Sequence, residues 1–350
     1  MPSFNKDLVN QLKELLTTTS NILITTHYNP DGDALGSSLG LYHYLHLKGY
    51  SAKILVPNEY PDFLGWMPGN SDMTVYSKNQ SEGDALIDWA EVIFCLDYNA
   101  IQRVNLFSDK LINAKGVKVL VDHHLQPEPQ FDYMFSMIET SSTSELVYDL
   151  ICALGDQDII DKNIAMCLYV GIMTDTGSFS FACNLPHTYE VVAELVRRGV
   201  DTEQVHRLVY DTYSEQRMRL LGHCLSEKLT VVKDCATAYI WLSKDDMKKF
   251  KVQPGDTEGI VNYALSIKGI SFAALFTEKP DKVRISFRSK GNFSVNDFSR
   301  NHFNGGGHRN AAGGETRLKM NETIELFTSL LPQYKAGLQS AAHQSSFLQP

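Results

Sequence analysis

The sequence predicts an α/β protein: an N-terminal domain on a parallel sheet with helices on both faces, a helical connector, and a smaller α/β C-terminal domain. Three observations predict it. Apolar runs of strand length alternate with helical patterns through the first half, the pattern of strand–helix–strand units around a covered sheet. Those runs are apolar at nearly every position rather than at every second one, as strands buried on both faces require. A second α/β pattern follows a stretch that is helical and polar on one face.

In chain order, the strands of the first domain are residues 22–26 (ILITT), 52–56, 92–96 (VIFCL) and 117–121 (VKVLV), with helices over 34–48 and 144–154. Residues 187–228 are mostly helical, with apolar positions at Val192, Leu195, Val196, Leu208, Met218, Leu221 and Leu225, and form the connector. Strands at 236–242, 270–277 and 283–289, with a charged helix start near Lys244, make up the second domain. The boundaries are 1–186, 187–228 and 229–336, with a flexible, small and polar tail over 337–350.

The 350 residues carry 41 acidic and 32 basic side chains, a net charge of -9. Such a balance argues against a chain that coats nucleic acid through its whole surface, because that binding runs on excess Lys and Arg. It leaves room for a local basic cleft. No apolar run approaches the roughly 20 residues of a membrane helix, and the first 16 residues alternate charge with Leu, without the apolar core of a signal peptide. Six cysteines (Cys95, Cys152, Cys167, Cys183, Cys224, Cys235) are scattered without a C-x-x-C pair, which disfavours a zinc knuckle and a disulfide framework and fits a reducing cytoplasm.

Chemistry concentrates where strands end. The first strand runs into His27-Tyr28-Asn29-Pro30-Asp31-Gly32-Asp33, the third into Asp97 and the fourth into Asp122-His123-His124, while Asp175 follows an apolar helical run over 164–173. In parallel α/β sheets the carboxyl ends of neighbouring strands open onto one crevice, so these residues can share a site. Taken singly, Asp31 is an ordinary turn residue and Asp33 an ordinary helix cap. Together, four or five carboxylates in one crevice repel each other and call for cations. Imidazole and carboxylate donors without thiolate suit Mn²⁺ or a related ion, and the donors suffice for two ions sharing a carboxylate at a separation of about 3.5 to 4 Å. Adjacent side chains of an extended segment point apart, so His123 and His124 divide between ligation and contact with a phosphate, while Asp122 orients a histidine. The remaining histidines, including His43, His46, His187, His206, His223 and His343, show no such grouping and are surface or packed residues.

HYNPDGD, LDYNA, VDHH and MTDTGSF, in this order over residues 22–181, resemble the four motifs of the DHH phosphoesterases. The resemblance implies two divalent metal ions, most plausibly Mn²⁺: one on His27, Asp31 and Asp97, the second on Asp33, Asp97, His123 and Asp175. It implies that His124 contacts the scissile phosphate or assists the leaving group, that Asp122 supports the histidines, and that a metal-held water attacks. Residues 284–290 (RISFRSK) and 304–314 (NGGGHRNAAGG) are similar to the associated C-terminal domain that binds nucleotide-like substrates. Alternation puts Arg284, Ser286 and Arg288 on one strand face, and Gly305, Gly306 and Gly307 let backbone N–H groups approach a phosphate beside His308. Between Lys282 and Lys319, eight Lys or Arg stand against Asp297 and Glu315.

Within the family, the length resembles the nanoRNase and pAp-phosphatase group. That implies hydrolysis of short RNA oligonucleotides to nucleoside monophosphates and dephosphorylation of 3'-phosphoadenosine 5'-phosphate, in a cleft between the domains that closes on substrate. Action on linear or cyclic dinucleotides or single-stranded DNA, and a silent nucleotide sensor, are the competing readings. Short RNA and phosphorylated nucleotides are the expected partners, with no membrane and a homodimer as an option.

Overall fold

The computed structural model describes residues 4–344 except Phe181 and Pro254. The chain divides into two compact units, residues 1–212 and 213–350.

Among the described residues the first unit holds six strands, β1 (Asn21–Thr26), β2 (Ser51–Val56), β3 (Met73–Val75), β4 (Val92–Leu96), β5 (Val117–Asp122) and β6 (Tyr133–Ser136). All pair in parallel, in the order β3-β2-β1-β4-β5-β6. Its helices are α1 (Lys6–Thr18), α2 (Gly32–Leu47), α3 (Gln80–Trp89), α4 (Ser108–Ile112), α5 (Thr143–Ala153), α6 (Lys162–Asp175), α7 (Pro186–Arg197) and α8 (Thr202–Tyr210). The continuous apolar runs have the expected cause, since Ile22, Ile24, Phe94 and Val119 enter one hydrophobic cluster while Leu23, Ile93, Cys95 and Leu120 enter another. Successive side chains point to opposite faces, so each central strand feeds a core on both sides of the sheet. The two edge strands not predicted from sequence, β3 and β6, are short and mostly half-buried, and carry little apolar signal.

Helices α2 and α6 pack closely because glycines leave space between them. A Cβ on Gly36 would stand 2.6 Å from the Cys167 carbonyl oxygen, and one on Gly171 would stand 2.7 Å from an Asp33 carboxylate oxygen. This close approach carries the start of α2, and with it Asp31 and Asp33, against α6 and its C-terminal Asp175.

The second unit contains β7 (Leu229–Val232), β8 (Thr237–Leu242), β9 (Phe272–Glu278), β10 (Val283–Ser289), β11 (Gly306–Gly307) and β12 (Ala311–Thr316). They form one sheet in the order β11-β12-β10-β9-β8-β7, antiparallel except for β8 with β9. Helices α9 (Glu215–His223), α10 (Lys244–Lys249), α11 (Ile260–Leu265), α12 (Val295–His302) and α13 (Met320–Gln344) complete it. Phe272, Phe276, Phe287, Phe298 and Phe327 pack ring against ring in its core.

Residues 187–228, read as a connector, divide between the units. Val191, Leu195, Val205 and Val209 of α7 and α8 join the first unit's core, while Leu220 and Cys224 join a cluster of the second. The tail expected from residue 337 continues helix α13 to Gln344, because Leu338 and Ala341 are buried; residues 345–350 lie outside the described residues. All six cysteines are free, and no helix among the described residues is long and apolar enough to cross a membrane.

Candidate active site

Strand register brings the first residues together. Thr26 pairs with Leu96 and Leu96 with Val121, so His27, Asp97 and Asp122 leave the sheet side by side at its carboxyl edge. In the strand order 3-2-1-4-5-6 the connections reverse direction between β1 and β4, where ligand crevices form. Asp97 turns sharply out of β4 with a left-handed backbone, φ 64°. Asp tolerates that conformation better than most residues, and an observed left-handed non-glycine residue at a strand end marks a site held by its surroundings.

Four segments contribute. His27 Nδ1 lies 3.0 Å from the Tyr28 carbonyl, so the neutral ring donates its proton there and presents Nε2 as a lone pair. That Nε2 is 3.4 Å from Asp97 Oδ2 and 3.8 Å from Asp31 Oδ2. His123 Nε2 is 3.6 Å from the other Asp97 oxygen, Oδ1, 3.4 Å from Asp175 Oδ2 and 3.8 Å from Asp33 Oδ2. These spacings exceed a hydrogen bond, yet two ligands each about 2.0 to 2.2 Å from a shared cation stand about 3 to 3.5 Å apart. His27, Asp31 and Asp97 thus form one donor group able to hold a metal ion, and Asp33, His123 and Asp175 another. The two oxygens of Asp97 face one group each.

His124 faces differently. Its Nδ1 is 2.7 Å from Asp122 Oδ1, and the ring stands nearly perpendicular to that of His123, at 79°. The doublet therefore divides, one imidazole toward the carboxylate group and the other onto a supporting carboxylate.

Asp31 caps α2, its Oδ1 accepting from the N–H groups of Asp33 and Ala34. The segment that carries it is pinned by Asn58, whose side chain bonds both the backbone and the amide of Asn29. Asp33 is held by the N-terminus of α5, its two oxygens accepting from the N–H groups of Thr143 at 2.7 Å and Ser144 at 2.8 Å. The Thr143 hydroxyl donates to Asp97 Oδ1 at 3.0 Å. Helix N-termini favour anions, so α5 stabilises these carboxylates before any cation does. Sequence reasoning missed Thr143 and Ser144; the signal available was the Ser142-Thr143-Ser144-Glu145 run, a helix-start pattern in which Ser142 caps Glu145.

Burial sets the electrostatics. It pushes the Asp33 carboxyl well above the carboxylate range, with help from the charges of Asp97 and Asp175. Asp97 is raised by burial too, against the neighbouring His27 imidazole, and Asp122 is raised by burial, then by Asp97, to about 7. His27 moves up despite its burial, because Asp97 and Asp31 favour its charged form. A crevice whose own carboxylates resist ionising together is one that cations would relieve, so the residues present fit a metal centre.

In the second unit, Arg284, Ser286 and Arg288 alternate with buried Val283, Ile285 and Phe287, as the strand pattern implies. The glycines have a packing cause: a Cβ on Gly305 would stand 1.9 Å from the Gly313 carbonyl and one on Gly307 would stand 2.5 Å from that of Ala311, and the Gly307 N–H donates to Asn296. His308 begins the tight turn into β12, its N–H donating to Ala311 O at 2.7 Å.

A parallel sheet of this order with imidazoles and carboxylates converging at its carboxyl edge defines a doubly wound α/β domain with a candidate metal centre, and the chain belongs to the DHH family. The family's N-terminal domain matches residues 21–172 and the DHHA1 domain matches residues 233–334. Similar relatives are the bifunctional oligoribonuclease and PAP phosphatase NrnA of Thermus thermophilus, 30% identical over 83% of this chain and 83% of that protein, and the NrnA of Bacillus subtilis, 28% identical over 86% and 91%. A crystal structure of an exopolyphosphatase-related protein from Bacteroides fragilis is 42% identical, with a TM-score of 0.92 over 97% of this chain and 99% of that one.

Proposed function

We propose that the protein is a metal-dependent phosphodiesterase that hydrolyses short oligoribonucleotides to nucleoside monophosphates and dephosphorylates 3'-phosphoadenosine 5'-phosphate. The observation that carries this reading is Asp97, whose Oδ2 and Oδ1 approach His27 and His123 separately. Two divalent ions would be held there, one by His27, Asp31 and Asp97 and the other by Asp33, Asp97, His123 and Asp175. Donors of imidazole and carboxylate without thiolate suit Mn²⁺ or a related divalent ion. Such ions, when bound, lower the pKa of a water and neutralise phosphoryl oxygens.

The chain's own groups do the rest. Asp122 accepts from His124 Nδ1, which orients the ring. His124 Nε2 then contacts the scissile phosphate and supplies a proton to the departing oxygen as the phosphorus–oxygen bond to it breaks. Thr143 and Ser144 keep Asp33 and Asp97 in place throughout. In the second unit, Arg284, Ser286, Arg288, the Gly305 to Gly307 loop and His308 grip the nucleotide phosphate, where cationic donors recognise the backbone rather than the base.

The test is a product-resolved assay of pure protein in Mn²⁺ against RNA dinucleotides, five-residue RNA, single-stranded DNA, cyclic dinucleotides and 3'-phosphoadenosine 5'-phosphate. Nucleoside monophosphate from the dinucleotide and from the bisphosphate is expected, abolished in Asp97→Asn and by chelation, with Arg288→Ala raising KM. Turnover of cyclic dinucleotides or DNA alone reassigns the substrate. Binding without turnover in saturating Mn²⁺ rejects the enzyme.

A further inference from the structure

One more donor group lies in the first unit, on α5 and α7, outside the set assigned above. Glu145 and Asp149 are four residues apart on α5 and so share a helix face. His187 comes from the first turn of α7. One ligand atom from each of the three lies within 4.8 Å of the other two.

His187 Nε2 is 2.8 and 3.1 Å from the two oxygens of Asp149. Its Nδ1 is 3.5 Å from Glu190 Oε2, so a carboxylate backs the ring on the side away from Asp149, as outer carboxylates do behind metal-bound histidines. Asp149 and His187 alone would satisfy one another. Glu145 makes the group incomplete. The residue is fully buried, and its Oε2 accepts from the Ser141 N–H and hydroxyl and from the Thr188 hydroxyl at 2.8 Å. Its Oε1 is buried with no hydrogen-bond partner among the described residues.

A buried polar oxygen without a partner is uncommon and calls for an unseen one. Charge points to what that is. Two carboxylates beside one imidazole sum to a net negative charge even when the ring is protonated, whereas a divalent ion with a neutral ring brings the sum to zero; uncompensated buried charge is expensive. We propose that Glu145, Asp149 and His187 bind a third divalent cation, through two carboxylates and one imidazole with a remaining position for water. This donor set suits Zn²⁺ or Mn²⁺. The ion replaces the proton between His187 and Asp149 and engages the open oxygen of Glu145. Its role is structural: it fastens α7 to α5, whose first turn holds Asp33 and Asp97. His187, with 13% of its side chain exposed, is the point of entry.

The full chain is stripped of metal, reloaded with Zn²⁺ or Mn²⁺ and its ions counted by elemental analysis. His187→Gln, in which the amide still donates to Asp149 and preserves packing, is expected to hold one ion per chain fewer than wild type, as is Asp149→Asn. An Asp33→Asn, Asp97→Asn double variant should keep one ion and gain thermal stability on Zn²⁺ addition, and lose both when His187→Gln is added. Equal ion counts in wild type and His187→Gln overturn the proposal. The reading of the active site can fail independently: then the Asp33 and Asp97 changes leave the count unaltered while His187→Gln still removes one ion.

Discussion

Asp97 shows how much a single residue is asked to do. Its left-handed backbone turns the carboxylate out of β4, one oxygen lies toward His27, the other lies toward His123, and Thr143 donates to the second. Thr143 thus acts behind a proposed ligand. Replacing it by Val keeps shape and the backbone N–H to Asp33 but deletes the hydroxyl, and partners of this kind are worth about 10- to 100-fold in metal affinity or activity. The expected outcome for Thr143→Val is a loss of that order in Mn²⁺ affinity by calorimetry, with an unchanged circular dichroism spectrum. Wild-type affinity would show that the helix N–H groups alone position the site.

At the scale of elements, the site depends on how closely helices approach. Gly171 of α6 lies where a Cβ would stand 1.9 Å from the Ser144 hydroxyl and 2.7 Å from Asp33 Oδ1. Overpacking of this kind costs about 1 to 3 kcal/mol. Gly171→Ala is expected to destabilise by that amount in urea melts and to lower activity by more than the unfolded fraction accounts for, since Asp33 has to move. Helix α10 offers a pH-dependent counterpart. Asp246 is opposed by burial, yet bonds from Ser243, Lys228 and His223 hold its carboxyl far below the usual range. A depressed folded-state pKa contributes stability that is present above the unfolded value near 4 and fades as pH falls through the folded one. Asp246→Asn should therefore cost about 1 to 3 kcal/mol at pH 7, and the gap from wild type should narrow below about pH 4. A gap constant down to pH 2 would contradict this.

For the whole molecule, cations and net charge act together. The chain carries a charge of -9, and part of it is concentrated as buried carboxylates at the sheet edge that ionise reluctantly. A ligand that binds only the folded state adds stability of about 2.7 kcal/mol at a hundredfold excess over Kd. Mn²⁺ at that excess should raise the melting temperature of the metal-stripped protein by several degrees, and Asp97→Asn should lose most of the rise. An equal rise with Ca²⁺, a hard ion that prefers oxygen ligands alone, would argue against imidazole donors in the site.

What the residues alone determined was local and periodic. The central strands were legible because burial on both faces demands uninterrupted apolar runs, and the candidate donors His27, Asp97 and His123 were legible because they follow the ends of such runs, where parallel sheets place their ligands. Arg284, Ser286 and Arg288 followed from a period of two. Tertiary structure decided what depends on approach between distant segments: that Thr143 and Ser144 bind Asp33 across 110 and 111 positions of chain, that α7 and α8 bury their apolar faces in the first unit, and that Gly305 and Gly307 are required by neighbouring carbonyls. His187 is the clearest case. In sequence it is an isolated histidine, 38 positions from Asp149, and no periodicity links them, because the contact is made by two helices packing rather than by either helix's own repeat.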